Sequence, residues 1–226
     1  MRRIYCIYYI IIAEYIPAGA TSGVFGLLVC YTCYTTKHEK TNMKITLGTL
    51  QFSPAIEHPE LLAKSVVDAL ALLLHADRVG VVGIDPNLSD TAAFCEHYKT
   101  EMNQAANCVV LEAKRADRTW FAACVTLGST RADVNGLARR TLDARKVSFA
   151  PMERAVAQTG MEYGAITPIG LPSDWSILVD KAVADSERVI IGSGVRKSKL
   201  AVPGSFLASL PNAQVLEGLG QQKIIL

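Results

Sequence analysis

Two glycine-rich loops hold the residues of this chain best placed to do chemistry. The first, Gly160 to Pro172, reads GMEYGAITPIGLP; the second, Gly192 to Lys199, reads GSGVRKSK; between them Asp180 closes the apolar run Ile177-Leu178-Val179. Gly160, Gly164 and Gly170 let the backbone take angles that other residues resist, while Pro168 and Pro172 fix φ and remove amide donors, so the first segment is a shaped loop. Such loops present backbone N–H groups that can hold a carbonyl oxygen without a charged catalyst, which suits hydrolysis of an already activated ester. Both features also have a purely structural reading. The loop can serve as a connection between a helix ending near Gly160 and a strand beginning near Trp175, and Asp180 can serve as a helix N-cap.

Other chemistries find little support. The four histidines, at positions 38, 58, 75 and 97, all precede both loops, a poor basis for a Ser-His-Asp triad. Gly192-Ser193-Gly194 lacks the third glycine of a dinucleotide fingerprint and the lysine spacing of a phosphate loop. Of the six cysteines, at 6, 30, 33, 95, 108 and 124, only Cys30 and Cys33 have a paired spacing, and no second pair completes a zinc site or a disulfide framework. No metal and no cofactor are expected.

The elements that must position the loops follow from periodicity and punctuation. A helix is predicted from Pro59 to about Ala76, with Leu62, Val66, Ala69, Leu70 and Leu73 on one face, then a strand over Arg78 to Ile84. Asp90 caps a helix through Tyr98. Cys108 to Ala113 and Thr119 to Thr126, split by a charged turn, form an antiparallel hairpin. Asp133 caps another helix, near which Arg139, Arg140, Arg145, Lys146 and Arg154 form a basic group, read either as a solvated face or as a phosphate contact. Pro151 to Thr159 is a short helix entering the first loop. After it come the strand Ser176 to Val179, a helix from Asp180, the strand Arg188 to Ile191, a helix from Pro203-Gly204 through Leu210 and a strand at Gln214 to Leu216. This mixture indicates an α/β or α+β domain with a mixed sheet.

At 226 residues and 50% hydrophobic content the chain suits one well-buried domain. The net charge of +2 comes from residues 1–42; from Met43 onward 19 basic residues face 19 acidic ones, so nucleic-acid binding requires a local patch. Residues 1–42 hold six of the eight tyrosines and read as an apolar leader outside the fold. Neither Ile4 to Ala13 nor Val24 to Tyr34 supplies the roughly 20 apolar residues of a membrane span. A secretory signal and a translation start at Met43 are the other readings, and the start at Met43 is preferred, leaving 43–226 as the domain.

The run Gly164 to Gly170, then Ile177 to Asp180, then Gly192-Ser193-Gly194 with Arg196, Lys199 and Leu200, resembles the YbaK/ProX family of aminoacyl-tRNA editing domains, and the likeness extends from roughly Leu61 to Leu219. The resemblance implies a mixed α/β fold with a central, barrel-like sheet, and deacylation of mischarged tRNA, notably tRNA for proline, in the cytoplasm and with transient association with an aminoacyl-tRNA synthetase. It implies that Asn107, Asp180 and Gly164 stand at catalytic positions. Cys108, Ala165, Ile166, Thr167, Pro168, Gly170, Ser193, Gly194, Arg196 and Lys199 would bind substrate, with Ser193, Gly194 and Arg196 bordering the terminal adenosine and phosphate.

This chain departs from the family pattern at two places. Asn107 stands where active members carry a lysine before the hairpin, and Ala165 stands where many have a second glycine. Losing a charged donor in an acyl-transfer site costs on the order of 3 kcal/mol, about a hundredfold in rate. A non-catalytic module that binds aminoacyl-adenosine is therefore the competing expectation.

Overall fold

The computed structural model describes residues 45–222. The chain begins with the hairpin β1 (Ile45–Leu47) and β2 (Leu50–Pro54), followed by α1 (Lys64–Leu70), β3 (Gly80–Gly83) and α2 (Thr91–Tyr98). The long hairpin β4 (Ala106–Arg115) and β5 (Arg118–Leu127) leads through β6 (Thr130–Ala132) to a π turn at Val134–Ala138 continued by α3 (Arg139–Thr141). Then come β7 (Lys146–Phe149), α4 (Met152–Thr159), β8 (Ser176–Asp180), α5 (Lys181–Ala184), β9 (Val189–Gly192), β10 (Ser198–Val202), α6 (Gly204–Ala208), β11 (Ala213–Leu216) and β12 (Gly220–Gln222).

Two five-stranded sheets form, in the orders β1-β2-β3-β10-β9 and β11-β8-β5-β4-β7, and β12 pairs with β6. The first is antiparallel throughout; the second is mixed, because β8 runs parallel to both β5 and β11. This is a mixed α+β fold with a curled five-stranded half-barrel, as the sequence predicts. β8 reads as a continuous apolar run because both of its faces are buried: Ile177 and Val179 join one core with Val66, Ile191 and Leu200, while Leu178 joins another with Leu111 and Cys124.

The sheets touch edge to edge at one point, a parallel bridge between Ala105 and Ile190, supported by the Ile190 amide donating to Gln104 O at 2.7 Å. Beyond that bridge β9 and β4 are not paired, and β7 joins β4 only from Leu111. The stretch of β4 between the bridge and Leu111 thus flanks a wedge between the sheets.

Several expected elements change. The helix from Pro59 to Ala76 breaks into a 3-10 turn at Pro59–Leu61 and the seven-residue α1. Ala63, between them, is extended and donates its amide to Ser193 O at 3.2 Å, so a tertiary bond replaces a helical one. Residues 76–78 form a 3-10 turn, which delays β3 to Gly80. The Asp133 cap is present, accepting from Gly136 N at 3.0 Å and Leu137 N at 2.8 Å, but it opens a π turn. Ser198 and Lys199 belong to β10 rather than to a loop, while β1, β2, β6, β7 and β12 are additions. Arg154 leaves the expected basic group: with Lys114 it brackets the buried Glu112 carboxylate. The expectations for residues 1–42 lie outside the described residues.

Candidate active site

The wedge between β9 and β4 holds a cavity of about 400 Å³. One wall is the β4 stretch Asn107 to Val110, the facing wall is Gly192 and Lys199, the far end is Ser89-Asp90-Thr91 at the start of α2, and the loop from Tyr163 to Ile166 covers it. Phe149 and Tyr163, both largely exposed, stand at its mouth.

The covering loop is held by backbone geometry. The Ala165 carbonyl accepts from Gly194 N at 2.8 Å, and Gly194 O accepts from Glu162 N at 2.8 Å, so the two glycine-rich loops are stitched together. Gly192 is the surface on which they meet: a Cβ there would lie 2.7 Å from the Ala165 carbonyl carbon and 2.9 Å from Ile166 O. Arg196 fastens the outer side, donating to Pro86 O at 2.9 Å and Tyr163 O at 3.4 Å, while its amide donates to a Glu162 carboxylate oxygen at 2.6 Å. Gly164, at φ +82°, makes the turn that passes beneath this guanidinium.

The polar groups inside are few. Thr91 Oγ1 donates to Asn107 Oδ1 at 2.6 Å, which occupies the amide oxygen and turns the Asn107 NH₂ away from Thr91. Lys199, only 7% exposed, donates from Nζ to Ser89 O at 2.8 Å and lies 5.5 Å from the Phe94 ring centroid. Burial lowers its pKa to about 8, with the Arg196 charge adding to the shift and Asp90 opposing it. Ser89 Oγ is buried and has no hydrogen-bond partner among the described residues. Burial pushes the Cys108 thiol well up, reinforced by Cys124, so it stays protonated and forms an apolar stretch of wall rather than a thiolate nucleophile. No group of three or more His, Cys, Asp and Glu side chains that could hold a metal ion occurs among the described residues.

Of the positions singled out in the sequence, Asn107, Cys108, Gly164, Ile166, Arg196 and Lys199 line the cavity. The rest are placed elsewhere. Asp180 lies outside the cavity, at the end of β8 and 3% exposed; burial raises its pKa, while the backbone N–H groups of Gly220, Leu219 and Lys181 pull it down. It anchors β12 rather than shaping the cavity. Ala165, Thr167 and Pro168 are buried behind the loop, and Gly170, at φ +81°, packs on the Ser65 backbone of α1. Ser193 Oγ meets Ser198 Oγ at 2.7 Å and donates to backbone carbonyls, while Gly194 presses on Ala63. These are the supports of the loops, not their inner surface.

Ser89 and Thr91 are cavity residues that the sequence did not single out, and Tyr163 and Gly192 lie in the two loops without having been given a site role there. Asp90 carried the N-cap signal of α2 and its carboxylate does accept from Ala92 N at 3.0 Å, but nothing local indicated that this helix end faces β4.

The inter-sheet wedge of this half-barrel thus brings together stitched loop backbone, one oriented amide and one buried ammonium. The chain belongs to the aminoacyl-tRNA editing domain family, whose model matches residues 85–209, more than half of the chain. Its general function is that of an aminoacyl-tRNA deacylase domain, in agreement with the resemblance carried by its loops. A crystal structure described as a candidate trans-editing enzyme for prolyl tRNA synthetase is similar with a TM-score of 0.59 and 19% identity, covering 69% of this chain and 94% of that one. A structure from work on epitope backbone grafting onto scaffold proteins matches with the same TM-score of 0.59 and 19% identity over 69% of this chain and 95% of that one. A hypothetical protein matches at 0.58 and 17% identity over 69% and 96%. At these identities the likeness is one of fold. No curated protein is similar enough in sequence to count as a relative.

Proposed function

We propose that this protein is a trans-editing deacylase that hydrolyses the ester of a mischarged tRNA, of the tRNA-Pro class, in the cytoplasm and in transient contact with an aminoacyl-tRNA synthetase. The observation that carries the reading is the convergence of Asn107, Gly164, Ile166, Arg196 and Lys199 on one cavity between the sheets. The aminoacyl group enters the wedge against Cys108 and Ile166, and the terminal ribose and its phosphate remain near Arg196 at the outer edge. Asn107, its oxygen held by Thr91, donates from its NH₂ to the ester carbonyl. A water molecule adds to the carbonyl carbon, the ester C–O bond breaks, the departing ribose oxygen takes one of the water's protons to become a hydroxyl, and the amino acid leaves as its carboxylate with the second proton released to solvent. The cavity walls contribute orientation and hydrogen-bond donors, the means by which acyl transfer is accelerated without a covalent nucleophile.

Among the described residues no helix is long and apolar enough to cross a membrane. The reading is tested with purified protein and tRNA-Pro charged with alanine or cysteine, against correctly charged tRNA. Release of the amino acid above the uncatalysed rate, selective for the mischarged forms, is expected. No release from the wild type or from Asn107→Lys refutes it.

A second reading is favoured by Asn107 alone: a module that binds the aminoacyl-adenosine end and does not cleave it. Binding of a non-hydrolysable aminoacyl-adenosine analogue without turnover, with turnover appearing in Asn107→Lys, would establish that reading instead.

A further inference from the structure

We infer that the Lys199 side chain, reaching the cavity from β10, supplies the positive charge that Asn107 lacks on β4, and that it acts on the substrate carbonyl from the opposite wall. The inference rests on the deacylase reading above and changes the role of Lys199 from general substrate binding to stabilisation of the developing oxyanion.

Strand register places the two residues opposite each other. Ala105 and Ile190 form the bridge that joins the sheets; Asn107 and Gly192 each lie two residues beyond it on strands running in the same direction, and Gly192 is the paired partner of Lys199. Side chains two apart on a strand share a face. Ala105, Ile190 and Ala201 all pack in one core group with Phe94 and Cys95 of α2, so Asn107, Gly192 and Lys199 belong to the same α2-covered face. At the bridge β4 and β10 stand two strand spacings apart, about 10 Å between backbones; beyond it β4 and β9 are unpaired and the cavity opens, with the Ala165 and Ile166 main chain resting on Gly192. The cavity that Asn107 and Lys199 both line receives the acyl carbonyl between the amide and the ammonium.

The surroundings of Lys199 fit a working cation better than a structural one. Its ammonium has three donors, of which Ser89 O takes one. No carboxylate lies within ion-pair distance of its Nζ among the described residues, although structural buried charges are usually paired. The groups that face it are Ser89 and Asp90 ahead of α2, Phe94 and Cys95 on α2, and Arg196 ahead of β10. Asp90 is committed to capping Ala92 N. Ser89 Oγ, buried and without a hydrogen-bond partner among the described residues, belongs to the same cavity and offers a further donor there.

The test moves the charge between strands. Lys199→Met is expected to lower kcat for deacylation about 100-fold, the usual effect of losing one oxyanion donor. Lys199→Arg keeps a charge of different shape and retains part of the rate. The double variant Lys199→Met with Asn107→Lys recovers activity, because the cation returns to the same carbonyl from β4; a lysine needed only for packing gives no such rescue. Deacylation by the wild type, corrected for uncatalysed hydrolysis, falls as pH rises through about 8, where Lys199 loses its proton. Lys199→Met loses that alkaline decline. Wild-type-like kcat in Lys199→Met overturns the inference and leaves the deacylase reading standing. Should Lys199→Met fail to fold, an unshifted alkaline limb in Lys199→Arg overturns it. Should the wild type cleave nothing, the deacylase reading fails on its own, and 3′-aminoacylamido-adenosine becomes the probe: equal affinity for wild type and Lys199→Met overturns the inference, and affinity about 10-fold weaker in the variant sustains the carbonyl contact.

Discussion

Replacing Gly192 by alanine tests whether the cavity is shaped by backbone meeting backbone. The added Cβ would collide with the Ala165 carbonyl oxygen and lie 2.7 Å from its carbon and 2.9 Å from Ile166 O. These are main-chain atoms, so no rotamer change relieves them. The loop must lift, which also loosens the 2.8 Å bond from Gly194 N to Ala165 O. Overpacking costs about 1–3 kcal/mol and a weakened hydrogen bond about 1 kcal/mol. The sum, about 3 kcal/mol, corresponds to a fall in Tm of roughly 6–12 °C for a domain of this size. Gly160→Ala is the control. Gly160 also has a left-handed φ of +65°, but nothing lies within 4 Å of its added Cβ, so only the conformational cost of about 1 kcal/mol remains, roughly 2–4 °C. Scanning calorimetry measures both, and deacylation of mischarged tRNA at a temperature where both are folded reports the cavity. Equal Tm losses in the two variants, or full activity in Gly192→Ala, would refute the account of the loop as resting on Gly192.

Three further outcomes are expected. Arg196→Ala removes the guanidinium that ties Tyr163 O of the covering loop to Pro86 O and removes the charge at the outer edge, raising KM about 10-fold with a smaller change in kcat, read from steady-state kinetics. Cys108→Ala keeps kcat within about threefold while changing which acyl group fits, since the thiol is wall and not nucleophile; a loss of about 100-fold would contradict this. Glu112→Gln destabilises at pH 7 by about 1 kcal/mol, a modest figure because Lys114 and Arg154 are half exposed. The Lys114 hydrogen bond and the Arg154 charge hold the Glu112 pKa below 4.5, so its stabilisation is present above that pH and is lost as pH falls through the lowered value. Urea midpoints of wild type and variant therefore converge in acid.

What the sequence determines by itself is local. Gly160, Gly164, Gly170 and Gly194 all take positive φ, as their places in shaped loops demand, and Asp90 and Asp133 cap the turns they precede. The β4–β5 hairpin follows from a charged turn between two apolar runs, and the motifs of the two loops and of the Ile177–Asp180 run between them are enough to indicate the family. The periodicity after Pro59 predicts a longer helix than forms, because a bond from Ala63 to Ser193, 130 residues away, overrides it. The site is where local signals stop. Asp180 and Lys199 look alike in sequence, each a charged residue beside an apolar run, yet one is clasped by Gly220 and Leu219 while the other reaches the cavity. That difference is set by which strands pair and in what register: Ala105 with Ile190 and Lys199 with Gly192 put Asn107 and Lys199 on one face. Because side-chain direction alternates along a strand, a one-residue change in any of these long-range pairings would turn the lysine out of the wedge, and no pattern within the strand itself records that choice.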